Sequence, residues 1–174
     1  QLASISGFNA AGAFDVNNNG IAVGYVLSNG RTNADGSLPL VGNGAGSQRA
    51  VIWTDGVATQ LASPAGAVNS VAYAIADDGT VTGMYRSTNN QVHGVVWKNG
   101  VPTTLALPSG QSRVFIRAIS EVGWVAGQTG GALGGTATVW TPSGVLLLPH
   151  LLTGFEVLDY SRGINSDGTV VGFS

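Results

Sequence analysis

The chain contains no cysteine and little charge. The lack of cysteine excludes disulfides, thiolate metal sites and cysteine nucleophiles. Charged residues make up 9% of the 174 positions, against roughly 25% in an average soluble protein. Lys98 is the only lysine, the six arginines are scattered, and the net charge is −2. A nucleic-acid surface needs clustered Lys and Arg to neutralise phosphates, so we expect no nucleic-acid partner.

Long hydrophobic runs and helical periodicity are also missing. The longest apolar stretch, 144–152, is interrupted by Pro149 and His150. It is shorter than the roughly 20 residues that a membrane-spanning helix needs, so the chain is predicted not to span a membrane. No signal peptide precedes the first motif, and a sequence that begins at Gln1 is interpreted as one from which a signal peptide has been removed.

The chain is instead rich in apolar residues and glycine. Hydrophobic residues make up 44%, which excludes disorder by composition. The 27 glycines, together with few charges and few helix formers, favour short strands joined by tight turns. The composition therefore predicts an all-β protein.

Two sequence motifs alternate along the chain. The first runs apolar residue, polar turn, Gly, alternating strand, Gly, and it occurs as DVNNNGIAVG (15–24), AIADDGTVTG (74–83), AISEVGWVAG (118–127) and GINSDGTVVG (163–172). The second contains a tryptophan and occurs as RAVIWTDGVATQL (49–61), HGVVWKNGVPTTL (93–105) and TATVWTPSGVLLL (136–148). Internal similarity at a fixed period is the signature of a repeat architecture.

The spacing of the motifs defines the repeat units. Trp53, Trp97 and Trp140 lie 44 and 43 residues apart. The motif glycines, which with these tryptophans we expect to be structural anchors, are Gly20, Gly79, Gly123 and Gly168. The units span approximately 2–60, 61–104 and 105–147, with a partial unit over 148–174. The first unit is longer because the Gly/Asn-rich stretch 28–47 is predicted to be a loop insertion.

Each motif predicts a hairpin, because Asp-Gly and Asn-Gly tolerate the positive φ of tight turns. Two hairpins in about 44 residues give four antiparallel strands, the size and strand number of a β-propeller blade. The sequence thus predicts one β-propeller-like domain over 1–174 with about three and a half blades, whose tryptophans pack between neighbouring blades. The open edges of such an array indicate either a fragment of a longer chain or a ring closed by another copy, since two copies would supply seven blades.

The repeat resembles the bacterial HAF-type extracellular repeat family. The segment 163–172 matches that pattern best, followed by 74–79 and 96–100. One departure is that 61–64 reads Leu-Ala-Ser-Pro, where the family often has a Leu-Gly-Thr-Leu-Gly-Gly segment. The resemblance implies a propeller-like fold and a secreted or cell-surface bacterial protein, and it implies no enzymatic activity.

The residues form no recognisable catalytic or metal-binding pattern. His93 and His150 lie in different repeats and neither is beside a patterned acid. Most carboxylates fall in hairpin turns, where turn chemistry explains them. We therefore predict no catalytic residue and no cofactor. Calcium bound by the oxygens of Asp77, Asp78 and 17–19 is the weaker alternative, because EF-hand spacing is absent.

Two features suggest a binding surface. Trp124 replaces the Ile or Thr of the other repeats, where it either fills a local gap or presents an aromatic ring to a ligand. The insertion carries Arg31, Asn33 and Asp35, and long loops are often functional. We expect a scaffold that associates with a protein partner or with another copy of itself. The alternatives are a carbohydrate-binding module and an extracellular hydrolase or lyase with its site at a central channel.

Overall fold

The computed structural model describes residues 2–28, 47–131, 134–148 and 160–173. This part of the chain forms fourteen strands and no helix, so the all-β prediction is confirmed. It also contains no helix that is long and apolar enough to cross a membrane.

The strands form four antiparallel sheets in chain order. The first sheet consists of β1 (Ala10–Val16), β2 (Ala22–Leu27), β3 (Gln48–Thr54) and β4 (Val57–Gln60). The second consists of β5 (Ala67–Ile75), β6 (Val81–Ser87), β7 (Val92–Lys98) and β8 (Val101–Thr104). The third consists of β9 (Arg113–Ile119), β10 (Val125–Gly131), β11 (Gly134–Thr141) and β12 (Gly144–Leu147). In the described part of the last unit, β13 (Tyr160–Ile164) pairs with β14 (Val170–Phe173). One sheet thus corresponds to one sequence repeat.

The inner and the outer hairpin of the first unit use different turns. In the inner hairpin, between the first and second strands, Gly20 N donates to Asn17 O at 3.0 Å and Asn17 N donates to Ile21 O at 3.0 Å. Only the glycine has positive φ there, which is the pattern of a type I turn closed by a left-handed residue. In the outer hairpin between the third and fourth strands, both Asp55 (φ 51°) and Gly56 (φ 77°) are left-handed. The Asp-Gly pairs are therefore not equivalent, since Asp78 keeps an ordinary φ while Gly79 alone is left-handed.

The glycine that closes the inner-hairpin motif is required for a different reason, which is the lack of space for a side chain. A Cβ on Gly24 would lie 2.0 Å from the carbonyl oxygen of Gly12, and a Cβ on Gly83 would lie 2.0 Å from the carbonyl oxygen of Val71. Gly127 stands in the same relation to Phe115, at 2.2 Å. In the first three sheets the first strand approaches the second too closely for any side chain at this position.

Successive sheets pack face to face. The strand β5 lies against β1, β2 and β3 of the preceding sheet, β9 lies against β5, β6 and β7, and β13 lies against β9, β10 and β11. Between the first two sheets, Val23 and Ala50 share a core with Leu61, Ile75 and Trp97. The other face of the first sheet is covered by Ile5 and Phe8 of the segment before β1. The first strands of consecutive sheets are thus neighbours along the whole array.

Candidate functional site

The three repeat tryptophans make the same hydrogen bond. The indole Nε1 donates over 2.7 Å to a backbone carbonyl in each case, from Trp53 to Ala3, from Trp97 to Ala62 and from Trp140 to Ala106. All three side chains are buried. Each acceptor follows the repeat leucine in the segment that leads into the first strand of the same sheet. The indole therefore anchors that entering segment to the third strand.

A hydrogen-bonded chain joins the inner turns of neighbouring units. Asn18 N donates to Asp77 Oδ1 at 2.9 Å, and Asp77 N donates in turn to Glu121 Oε2 at 2.7 Å. The three residues occupy the same position of the repeat. Asn18 Nδ2 also donates to Asp77 Oδ2 at 2.7 Å, and these two hydrogen bonds from Asn18 lower the pKa of Asp77. The carboxylate at this position links one unit to the unit before it.

Other side-chain oxygens of the inner turns accept hydrogen bonds from backbone N–H groups of the same turn. Asn17 Oδ1 accepts from Asn19 N and Ile21 N at 3.1 and 3.0 Å. Asp78 Oδ1 accepts from Thr80 N at 2.8 Å, and hydrogen bonding to Thr80 lowers the pKa of Asp78. Within the described ranges, no three His, Cys, Asp or Glu side chains form a group suited to a metal ion. Of the oxygens considered for calcium, Asn17 Oδ1, both carboxylate oxygens of Asp77 and Asp78 Oδ1 thus accept hydrogen bonds in this structure.

Trp124 is half-buried and packs against the following unit. A Cβ on Gly168 would lie 2.4 Å from Trp124 Cζ3, so the six-membered ring covers the last inner turn. Trp124 N donates to Ser120 Oγ at 3.2 Å. The ring of Trp124 therefore forms a contact between the third and fourth units.

The remaining sequence candidates are dispersed or lie outside the described part. His93 stacks on Tyr85, with ring centroids 4.9 Å apart, and its Nε2 lies 3.1 Å from Ser87 Oγ. The insertion residues Arg31, Asn33 and Asp35 lie outside the described residues, as does His150. The structure therefore brings none of these described candidates together with Trp124.

A row of bulged residues, which the sequence analysis missed, runs across the four first strands. In each of these strands the register shifts around one residue shortly before the inner turn, and these residues are Phe14, Tyr73, Arg117 and Arg162; β5 has a second shift, around Val68. We call the four residues before the inner turns the bulge row. Each precedes by two positions the apolar residue that opens the inner turn, and this fixed offset from the motif is the sequence signal that would have found them. A β-bulge redirects a side chain out of the regular alternation of the strand.

Aromatic contacts form one end of the bulge row. The ring centroid of Phe14 lies 4.9 Å from that of Tyr73 and 5.6 Å from that of Tyr25. Burial raises the pKa of Tyr73 to about 12, although the positive charge of Arg117 acts in the opposite direction. Tyr73 is thus a neutral phenol well above physiological pH.

The two ends of the array expose residues that the interior units bury. Val171 on the last sheet is 61% exposed, whereas Val23, Thr82 and Ala126 at the same repeat position are 0% exposed. At the other end, Val16 is 61% exposed, whereas its equivalent Ile75 is 5% exposed. Leu2 is likewise 41% exposed where Leu61 is 7% exposed. We call the surface around Val171 the forward end and the surface around Leu2 and Val16 the backward end.

No protein-family model matches the chain, and none of the curated proteins matches it.

Proposed function

We propose that the chain is a β-propeller-like scaffold whose function is association through the two ends of its array. The face-to-face packing of successive sheets and the contacts between their first strands support the propeller-like arrangement, with β1, β5, β9 and β13 nearest a common axis. The resemblance of its repeats to the HAF-type family supports a place outside a bacterial cell.

The observation that carries the proposal is the exposure of Val171. Inside the array, Val23 of one sheet lies in a common core with Leu61 and Ile75 of the next. Val171 is equivalent to Val23, while Leu2 and Val16 are equivalent to Leu61 and Ile75. The internal interface between the first two sheets therefore supports packing of the forward end of one molecule against the backward end of a second copy.

Such a contact is heterologous, because two different surfaces of the same chain meet. It can extend from copy to copy or close into a ring. The low surface charge favours this contact, since self-repulsion between copies is weak.

A charge-swap experiment tests the proposal. We expect the wild-type chain to show a solution mass that rises with concentration, measured by analytical ultracentrifugation. Val171→Glu and Val16→Lys should each abolish this association, because each places a single charge in an apolar contact. An equimolar mixture of the two variants should regain association, since the unchanged forward end of Val16→Lys can then meet the unchanged backward end of Val171→Glu.

Matched controls lie on an outer edge strand. Val101→Glu and Val101→Lys alter a valine that is 65% exposed on β8 of the second sheet, which is neither the first nor the last sheet of the array. They should leave association unchanged. A wild-type chain that stays monomeric at every concentration, or equal loss in the control variants, would contradict the proposal.

A further inference from the structure

Three aromatic rings from three strands meet beside the first strand of the first sheet. The ring centroid of Phe14 on β1 lies 5.6 Å from that of Tyr25 on β2 and 4.9 Å from that of Tyr73 on β5. We call these three residues the aromatic cluster. Because its members belong to two neighbouring sheets, the cluster is formed by the packing of the first two units and not by residues adjacent in the sequence.

Phe14 is the accessible member of the aromatic cluster. It is 47% exposed although its ring contacts two others, whereas Tyr73 is half-buried and Tyr25 is 2% exposed. The bulge in β1 turns Phe14 out of the regular alternation of the strand. A ring supported by two other rings presents a flat apolar face whose orientation is already restrained, so a ligand that stacks on it causes little further loss of conformational freedom.

The lack of a side chain at Gly12 allows the Tyr25 ring to lie across β1. Gly12 and Tyr25 are cross-strand partners, and a Cβ on Gly12 would lie 2.7 Å from both Cε1 and Oη of Tyr25. The corresponding pairs in the next two sheets are Val71 with Met84 and Phe115 with Gln128. Of these three sheets, the first alone combines a glycine on the first strand with a hydroxyl-bearing residue on the second. This combination brings a phenol hydroxyl to the strand that carries Phe14.

The hydroxyl groups of Tyr25 and Tyr73 make no hydrogen bond within the described part of the chain, and neither oxygen is completely enclosed. Tyr85 differs, since its hydroxyl lies 3.0 Å from Thr104 Oγ1. Burial raises the pKa of both cluster phenols, that of Tyr73 to about 12, so each keeps its proton and is able to donate as well as accept a hydrogen bond. Buried tyrosine hydroxyls usually have a partner, so two without one beside an exposed ring indicate a ligand that supplies it.

We propose that the aromatic cluster binds a neutral sugar ring. The C–H face of a pyranose lies on Phe14, and its hydroxyl groups hydrogen-bond with Tyr25 and Tyr73. A purely apolar ligand would remove water from the two phenol hydroxyls without replacing their hydrogen bonds, which is unfavourable. The three rings carry no charge at neutral pH, which suits a neutral ligand. All three belong to one chain, so this binding does not depend on the self-association proposed above.

The test is a titration of the purified chain with small probes, followed by saturation-transfer NMR. Methyl glucoside, methyl galactoside and methyl mannoside each carry a ring face and several hydroxyl groups, glycerol carries hydroxyl groups without a ring, and phenol carries an aromatic ring with a single hydroxyl. We expect at least one glycoside to saturate at millimolar concentration and to shift the Phe14 and Tyr73 ring signals, whereas glycerol does not. Saturation by phenol and by no glycoside would contradict the proposal.

Variants locate the site on the aromatic cluster. Phe14→Ala should weaken binding of the responding glycoside about tenfold, because the stacking face is lost. Tyr73→Phe keeps the ring but removes the hydroxyl and should weaken binding about threefold to tenfold. Tyr85→Phe, the matched control, removes a hydroxyl that is not part of the cluster and should leave the affinity unchanged. Phe14→Leu keeps an apolar side chain without an aromatic face, and it replaces Phe14→Ala if that variant does not fold.

The same titration in Val171→Glu separates sugar binding from self-association. We expect this variant, which the proposed function predicts to be monomeric, to bind the glycoside with the affinity of the wild type. The sugar proposal is overturned if no glycoside saturates, if Tyr85→Phe weakens binding as much as Tyr73→Phe, or if binding is lost in Val171→Glu.

Discussion

Trp97 Nε1 donates a 2.7 Å hydrogen bond to the carbonyl oxygen of Ala62, in the link between the first and second sheets. The same bond recurs at Trp53 and Trp140. A single side chain thus fills the space between two sheets and fixes the backbone that joins them, which explains why the tryptophan returns with the period of the repeat.

Substitutions of Trp97 separate the contribution of the buried ring from that of the hydrogen bond to Ala62. Trp97→Phe keeps most of the ring but removes the donor, and should lower the free energy of unfolding by about 1–3 kcal/mol. Trp97→Ala also leaves a cavity and should cost about 3–5 kcal/mol. Chemical denaturation measures both values. Val101→Ala, at an exposed position, should stay within about 0.5 kcal/mol of the wild type, and equal losses in the Phe and Ala variants would show that the hydrogen bond is the whole effect.

The two motif glycines of the second unit should respond differently to alanine. Gly79→Ala places a Cβ in open space at positive φ, which costs about 1–2 kcal/mol. Gly83→Ala places a Cβ 2.0 Å from the carbonyl oxygen of Val71, so the first and second strands must separate. We expect this variant to cost more than about 3 kcal/mol or to prevent folding. Thermal and denaturant unfolding compare the two, and a smaller loss for Gly83→Ala would contradict the close approach.

Asp77 should contribute to the acid sensitivity of the fold. Its hydrogen bonds from Asn18 lower the pKa of the folded carboxyl below its ordinary value of 3.8. The folded state then binds the proton less readily than the unfolded state, so the contribution is present above pH 3.8 and is lost as the pH falls through the lower folded value. Asp77→Asn should therefore lose less stability on acidification than the wild type.

Denaturation at a series of pH values below neutrality measures the slope of the free energy of unfolding against pH. Asp55→Asn, in the exposed outer turn, removes a carboxylate that is not part of the link between the inner turns and is the matched control. An unchanged slope in Asp77→Asn would show that the link between the inner turns does not depend on the charge.

Trp124 and Gly168 should be energetically coupled. Trp124→Thr restores the residue found at this position in two other units and removes the ring that covers Gly168. We expect faster amide exchange in β13 and β14, because the last hairpin loses its contact with the third unit, and little change in β5 and β6. Gly168→Ala should cost more in the wild type than in the Trp124→Thr background, since the added Cβ collides with the ring only when the ring is present. Equal costs in both backgrounds would contradict the contact.

The regular part of the fold follows from local patterns. Alternation around Val95 and Trp97 predicts a strand because side chains of a strand alternate between its faces, and the Asp-Gly and Asn-Gly pairs predict the hairpins because few other residues adopt positive φ. The repeat period then requires every unit to have the same strand order. Asp78 shows the limit of this reasoning, because an Asp-Gly pair does not by itself distinguish a turn with one left-handed residue from a turn with two.

The bulge row could not be derived in the same way. Phe14, Tyr73, Arg117 and Arg162 share neither size nor charge, so no residue type marks the position. Their proximity arises because a register shift recurs in each first strand and because these strands pack side by side.

The sequence alone determined the strands, the unit length and the identity of the anchoring tryptophans and glycines, because each depends on residues close together in the chain or on an exact period. Only the tertiary structure decided that Asn18, Asp77 and Glu121 form a hydrogen-bonded chain, that Trp124 covers Gly168, and that Val16 and Val171 are exposed. These facts depend on which sheet faces which, and therefore on contacts between residues about 44 or more positions apart.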